Sequence, residues 1–433
     1  MKRREFIETA AKSSALLLAG TELPAASSCF YSVDVQEVVR ISQVKKPLAI
    51  AMWDFSWILR HHRYGEFENW DKALDELAER GYNAIRMDAM PQFIASSAVD
   101  GTINEEFRSI RDSWVPAVWG NDFTMSFRPR EALLEFMAKC KKYHVQVGLS
   151  AWFLRHGTER EDIFMEEGGL YRAWDETLTF LRAHQMLDEN VIYVDILNEY
   201  PHSHGYDWFK NEMNVRSNIQ QYKLDHPEAN LPDESAVNAG MNPLQKDFFN
   251  QFINGTLFRL KQKYPTLDFF ASTDSHTPLS NLELTNFDAL DYHVWFNHRG
   301  RIPGLNDIGS RDLTKFDYRD TMKNLLSYWD ENKSRLVEWI NGRMNFIQQT
   351  AEQNGLVCGN TEGWGPITWY DHPELDWSWV KESAEICIDL LQAYPNYKFI
   401  CTSNFTHPQF RGMWEDIKWH KAITQKIRSM HSL

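Results

Sequence analysis

The chain has 433 residues, 43% hydrophobic and 14% aromatic, which is enough apolar material for one large core and too much for a disordered or fibrous chain. Sixty acidic residues against 46 basic ones give a formal charge of -14, and outside the N-terminus no basic patch offsets it. Such a surface repels a phosphate backbone, so nucleic acid is not an expected partner.

Residues 1–30 differ in texture from the rest. Lys2, Arg3 and Arg4 precede a short Ala/Leu-rich stretch interrupted by Lys12, and a small-residue segment runs from Pro24 to Cys29. A basic head, a modest apolar body and a small-residue tail predict an export signal, too short to span a membrane. The paired arginines followed by Phe6 resemble a twin-arginine leader. Export to the periplasm or cell envelope is the expected destination, and Cys29 is a candidate for lipidation, although Ala26 stands where a lipobox usually has Leu. The other cysteines, Cys140, Cys358, Cys387 and Cys401, have neither zinc-ligand spacing nor the density of a disulfide scaffold. The remainder, 31–433, reads as a single domain: no fixed-period repeat and no Pro/Ser-rich linker divides it.

From residue 48 onward, strand signals alternate with helical ones. The first strand is predicted over 48–54, ending in Trp53 and Asp54, and is followed by a helix over 69–80 with Trp70, Leu74, Leu77 and Ala78 on one face and Gly81 just past its end. Strand two (82–88) carries Arg86 and Asp88. A long segment, 89–128, holding Trp114 and Trp119, leads to a helix over 129–142 and strand three over 145–152. A helix over 171–189 precedes strand four (191–198), which runs through Asp195 into Asn198 and Glu199. The segment 201–244, opening with Pro201, His202 and His204, leads to a helix over 245–263 and strand five (267–274), ending at Asp274. Strand six (287–295) ends with His293 and Trp295. The segment 297–330, a helix over 331–354 and strand seven (356–362) follow, the last closing on Glu362. A helix over 376–393, strand eight (397–404) and a helix over 414–427 complete the chain. Eight strands alternating with helices specify a closed parallel (β/α)8 barrel. The three long segments all follow strands, so they should wall a cleft on the C-terminal face.

Two strands three apart in such a ring end in carboxylates facing each other across the mouth. Glycosidic cleavage with retention needs that pairing, one carboxyl protonating the leaving oxygen while the other attacks the anomeric carbon, at roughly 5 Å separation. The aromatic content, with 17 Trp, 16 Tyr and 26 Phe, leans the same way, because flat apolar faces with polar handles suit sugars. For metal binding, Asp274, His276 and His293 form no compact ligand motif, and no phosphate-cradling glycine loop occurs, so neither metal nor cofactor is expected.

Asn198 with Glu199 ending strand four and Glu362 ending strand seven resemble the paired signature of clan A glycoside hydrolases, which include retaining cellulases, mannanases and β-galactosidases. More narrowly the chain resembles their sugar-binding cellulase-like group, over about residues 48–427. The resemblance implies a carbohydrate substrate, Glu199 as acid/base, Glu362 as nucleophile and Asn198 as a contact to the sugar 2-hydroxyl. It also implies that Arg86 braces the nucleophile, against the alternative that Arg86 pairs only with Asp88 or Asp195. Trp295 stands where the clan often has a nucleophile-contacting tyrosine. His293 is a candidate for binding substrate or ordering the nucleophile. Trp53, Trp364 and Phe405 are candidate sugar-facing rings, Phe405 in place of a tryptophan usual on strand eight. Asp54, Asp274 and Trp295 complete the expected substrate wall. A sugar-binding barrel without turnover is the competing reading. Sugar identity and oligomeric state are not legible.

Overall fold

The structure is a computed structural model and describes residues 40–96, 105–107, 121, 125–154, 161–188, 190–201, 205–227, 241–275, 277–296, 318–365, 371, 373 and 375–431. The segment 1–30 with Cys29, and Trp114, Trp119, His202, His204 and His276, lie outside them. The described residues fall in one compact unit, Glu37–Leu433.

Eight strand positions form a mostly parallel sheet: β1 Leu48–Met52, β2 Ala84–Asp88, β3 Gln146–Ser150, β4 Val191–Asp195, β5 in two pieces at Phe269–Phe270 and Thr273–Asp274, β6 Ala289–Trp295, β7 Val357–Asn360 with a further Gly363–Trp364, and β8 Tyr397–Cys401. Each overlaps its predicted segment. The ladder runs β6-β7-β8-β1-β2-β3-β4-β5, with Leu48 opposite Phe399 and Ile50 opposite Ala84.

The expected closed barrel is met only in part. The sheet curls into a (β/α)8-like form, but its ladder is not fully closed, because β5 is broken. Phe269 and Phe270 pair with Val194 and Asp195, whereas only Thr273 and Asp274 reach Tyr292 and His293 of β6. The break has a local cause. Both Asp195 carboxylate oxygens accept from Ser272, one from its amide (2.8 Å) and one from its hydroxyl (2.7 Å). A side chain thus occupies the ladder position that a backbone carbonyl would otherwise fill.

Inside the curl, Tyr193, Phe270 and Phe399 form a plug of three rings with centroids 4.9–5.8 Å apart. Two glycines make room for it. A Cβ on Gly148 would lie 2.0 Å from Tyr193 Cζ, and one on Gly359 would lie 2.3 Å from Phe399 Cδ2. The plug closes the interior below the strand ends and leaves the polar layer above it.

The helices are α1 Trp70–Glu79, α2 Pro129–Lys142, α3 Gly169–Ala183, α4 Pro243–Lys263, α5 Tyr318–Gln353, α6 Ser378–Leu391 and α7 Ile417–Ser429. In α1, Asn69 caps the start by accepting from Lys72 N, and Ala73 is buried in place of the expected Ala78. Between β5 and β6 the described residues form a 3-10 turn, Leu279–Asn281, and no longer helix. The segment 297–330 is not all loop, since α5 begins at Tyr318. Leu325, Trp329, Leu336, Ile340, Met344, Ile347 and Ala351 are buried at helical spacing. The segment after β4 also carries two short helices, Asp207–Val215 and Ile219–Asp225, and that after β2 a hairpin of Glu105–Phe107 with Met125–Phe127.

Candidate active site

The strand ends bring a set of polar side chains into one buried layer. Arg86 projects inward from β2 and is fully buried. Its Nη1 donates to Glu362 Oε1, and its Nη2 donates to Asn198 Oδ1 and to Ser150 Oγ (3.0 Å), with Asp195 Oδ2 at 3.4 Å. Its Nε lies 3.6 Å from Asp54 Oδ1. Arg86 therefore grips Glu362 and also pairs with Asp195, so Asp195 is not its sole partner. Asp88 is occupied elsewhere, accepting from the Met90 and Trp152 amides.

Glu199 follows β4 with a left-handed backbone, φ 40°. A non-glycine residue in that region costs on the order of 1–3 kcal/mol and persists only where neighbours fix it. Here Ser272 Oγ accepts from Glu199 N at 3.0 Å and Ser272 O accepts from Tyr200 N at 2.8 Å. The same Ser272 that breaks β5 thus holds the acid in place.

His293 stands between the two glutamates. Its Nδ1 lies 3.0 Å from Glu199 Oε1 and 3.7 Å from Glu362 Oε1. On the other side of the ring, Nε2 lies 3.2 Å from Thr361 Oγ1 and 3.5 Å from Asp291 Oδ2. Thr361 in turn donates its hydroxyl to Asp291 Oδ2 (2.5 Å) and its amide to Asp291 Oδ1 (3.1 Å). Nearest donor atoms of Glu199, His293 and Glu362 all fall within 4.8 Å of one another. The spacing suits a metal ion as well as a shared proton, but Arg86 already gives Glu362 a cationic partner.

Electrostatics in this layer are set by burial against close countercharges. Burial pushes Glu362 up to about 8, and Arg86 and His293 pull the other way without cancelling it. Arg86 thus lowers the proton affinity of Glu362, but desolvation outweighs the ion pair. Burial would discharge His293, yet Glu362, Asp291 and Glu199 hold it well above the ordinary histidine range. Arg86 resists burial through Asp54, Glu362, Asp195 and Asp291. Burial also raises Asp54, against Arg86 and the Trp152 indole that donates to it at 2.8 Å.

The expected ring platforms are placed in the core. Trp53 packs edge-on to Phe67 and donates to Thr406 O, Trp364 donates to Cys401 O, and Phe405 sits edge-on to Trp377 and Phe410. All three, with Trp295, have no exposed surface. A nucleophile needs one oxygen within reach, but a stacking platform needs an open ring face, so these rings serve packing in this arrangement. Trp295 lies opposite Trp364 in the ladder. Asp274 is buried near Tyr292, whose hydroxyl donates to Thr277 O. Sequence reasoning did not single out Ser150, Trp152, Ser272, Asp291 or Thr361 as site residues. Only Asp291, two residues before His293 on β6, carried a signal.

Fold and cluster together define the class: a (β/α)8-like protein with an acid, a histidine and a second acid drawn together at its strand ends. More particularly, the chain belongs to the cellulase-like family, described as sugar-binding cellulase-like, whose model matches residues 50–428. It is similar to a protein from Parabacteroides distasonis provisionally described as a glycoside hydrolase, at 27% identity over 89% of this chain and 94% of that one, with a TM-score of 0.71. It also resembles a family 5 glycoside hydrolase from Prevotella bryantii (10% identity, 90% and 99% covered, TM-score 0.48) and a family 5 mannosidase from Rhizomucor miehei (10%, 89% and 94%, 0.44), scores too low to bear on activity. A search of curated proteins finds no match. No helix among the described residues is long and apolar enough to cross a membrane.

Proposed function

We propose that this protein is a retaining glycoside hydrolase acting on a β-linked glycan or glycoside. The observation that carries the reading is the approach of Glu199 and Glu362 to within 4.8 Å, each also near His293. Carboxyls about 5 Å apart fit direct attack by one of them, whereas an inverting pair stands roughly 6.5–9.5 Å apart to admit a water. Glu362, in its ionised form, attacks the anomeric carbon as Glu199 gives its proton to the departing oxygen. Water then attacks the same carbon, loses a proton to Glu199, and the Glu362 ester bond breaks. Asn198, whose side-chain oxygen accepts from Arg86, is assigned the contact to the sugar 2-hydroxyl. A barrel that only binds sugar has no use for two carboxylates held against their mutual repulsion.

A panel of aryl β-glycosides fluorinated at the 2-position tests this. The expected result is a covalent glycosyl adduct on the peptide containing Glu362, and hydrolysis of the unfluorinated substrates with the β-configuration kept in the first-formed product. An adduct on another residue, or an α-configured product, overturns it.

A further inference from the structure

The hydrogen bonds around His293 fix more than its orientation. Thr361 has one hydroxyl proton, and at 2.5 Å that proton goes to Asp291 Oδ2. Thr361 Oγ1 can therefore only accept on its other side, so the imidazole must carry a proton on Nε2, which lies 3.2 Å away. The opposite nitrogen, Nδ1, faces Glu199 Oε1, and one proton lies between them. That proton belongs to Nδ1, so the ring is an imidazolium, and the proton that Glu199 gives up in the reaction is the one on its other oxygen, Oε2. Glu362 and Glu199 face this ring from β7 and β4, and Asp291 faces it from its own strand. Asp54 and Arg86 stand further off, and Arg86 is engaged with the carboxylates.

We propose that Asp291 and Thr361 are positioning residues that hold His293 as a fixed counter-ion shared by the two glutamates. The proposal rests on the hydrolase reading for its purpose. In the first half of that reaction a negative charge leaves Glu362, which becomes an ester, and appears on Glu199, which has lost its proton. A cation 3.7 Å from one carboxylate and 3.0 Å from the other serves both without moving. Catalytic dipoles that need no reorganisation are worth more than ones that must turn. Asp291, satisfied by Thr361 and aimed at Nε2, keeps the ring charged while its other edge changes partner.

The test begins with the wild-type full chain, labelled with ¹⁵N-histidine, its His293 signals identified by their loss in His293→Asn. They are expected to report an imidazolium that persists well above the ordinary histidine value near 6.5. Asp291→Asn should bring the titration down towards that ordinary value, and Thr361→Val should move it part of the way. In Asp291→Asn the acid limb of the kcat/KM profile should shift alkaline by about one pH unit, because both glutamates lose a neighbouring cation. A wild-type His293 that titrates near 6.5 sinks the proposal, as does a titration unmoved in a folded Asp291→Asn or Thr361→Val. The histidine titrations need no turnover. A protein whose His293 behaves as described but which cleaves no glycoside would overturn the hydrolase reading and leave the positioning pair standing.

Discussion

His293 and His420 are both without exposed surface, yet burial leaves them in opposite states. His420, on α7, meets neutral partners: its Nε2–H donates to Met413 O (3.0 Å) and its Nδ1 accepts from the Tyr82 hydroxyl (2.8 Å), which accepts from Thr402. Desolvation therefore prevails and drops it to about 3. His293, among carboxylates, is held up. One residue type and one degree of burial thus give a structural neutral ring between sheet and helix, and a charged ring at the strand ends. The difference lies in whether the surrounding acceptors carry charge, which is what separates a packed histidine from one available to chemistry.

Substitutions can break that contrast, and the strand-end layer should give the largest effects. Glu362→Ala removes the proposed nucleophile and should cost roughly 10⁴- to 10⁶-fold in kcat even on activated aryl glycosides. Glu199→Ala should cost roughly 10²- to 10⁴-fold on substrates with poor leaving groups but spare glycosylation by activated ones. Azide should rescue it to a β-glycosyl azide, identified by NMR, and the opposite anomer from this variant would exchange the two roles. Ser272→Ala comes next. It deprives the Glu199 amide of its acceptor and should lower kcat by about tenfold with little change in KM, since it loosens the acid rather than the sugar site. An unaltered kcat in a folded Ser272→Ala would mean that the left-handed backbone at Glu199 is held without it.

The neutral histidine gives the smallest effect and the clearest sign. Its folded value lies below the ordinary 6.5, so its contribution is fully present above that pH and is lost as pH falls towards about 3. His420→Gln should be less stable than wild type by roughly 1–2 kcal/mol at pH 7. Thermal melts should show that gap narrowing as pH falls from 7 to 4, with hydrolytic activity at pH 7 unchanged. A gap that widens on acidification would mean that His420 is charged in the fold.

Most of the fold was legible because it rests on periodicity. All eight strand positions were marked by short apolar runs, and the two glutamates were marked by standing at the ends of such runs. What failed depended on side chains finding partners far away in sequence. Nothing in residues 267–274 announces a break, since the group that causes it, Asp195, is 77 positions from Ser272. The same holds for the turn of His293 towards Glu199, which depends on Thr361 and Asp291 meeting across β6 and β7. Trp53, Trp364 and Phe405 were read as sugar-facing from their place at strand ends, and a large ring there packs inward as readily as outward. The start of α5 was set too late because polar residues between its buried positions resemble a loop.

That helix shapes how a glycan would be received. Its 36 residues make it about 54 Å long, whereas the seven-residue β6 beside it spans about 23 Å. Trp329 sits edge-on to Phe296, just past the end of β6, so the part of α5 before Trp329 rises beyond the strands on the side where Glu199 and Glu362 lie. Trp329 Nε1 donates to Glu382 of α6 at 2.7 Å and Lys333 pairs with the same carboxylate, which ties this part down. A loop in that place would have to surrender roughly 1–2 kcal/mol of conformational entropy for each residue that a ligand ordered. A helix has met that cost during folding, so on this flank the free energy of contact goes into affinity instead of into ordering the protein.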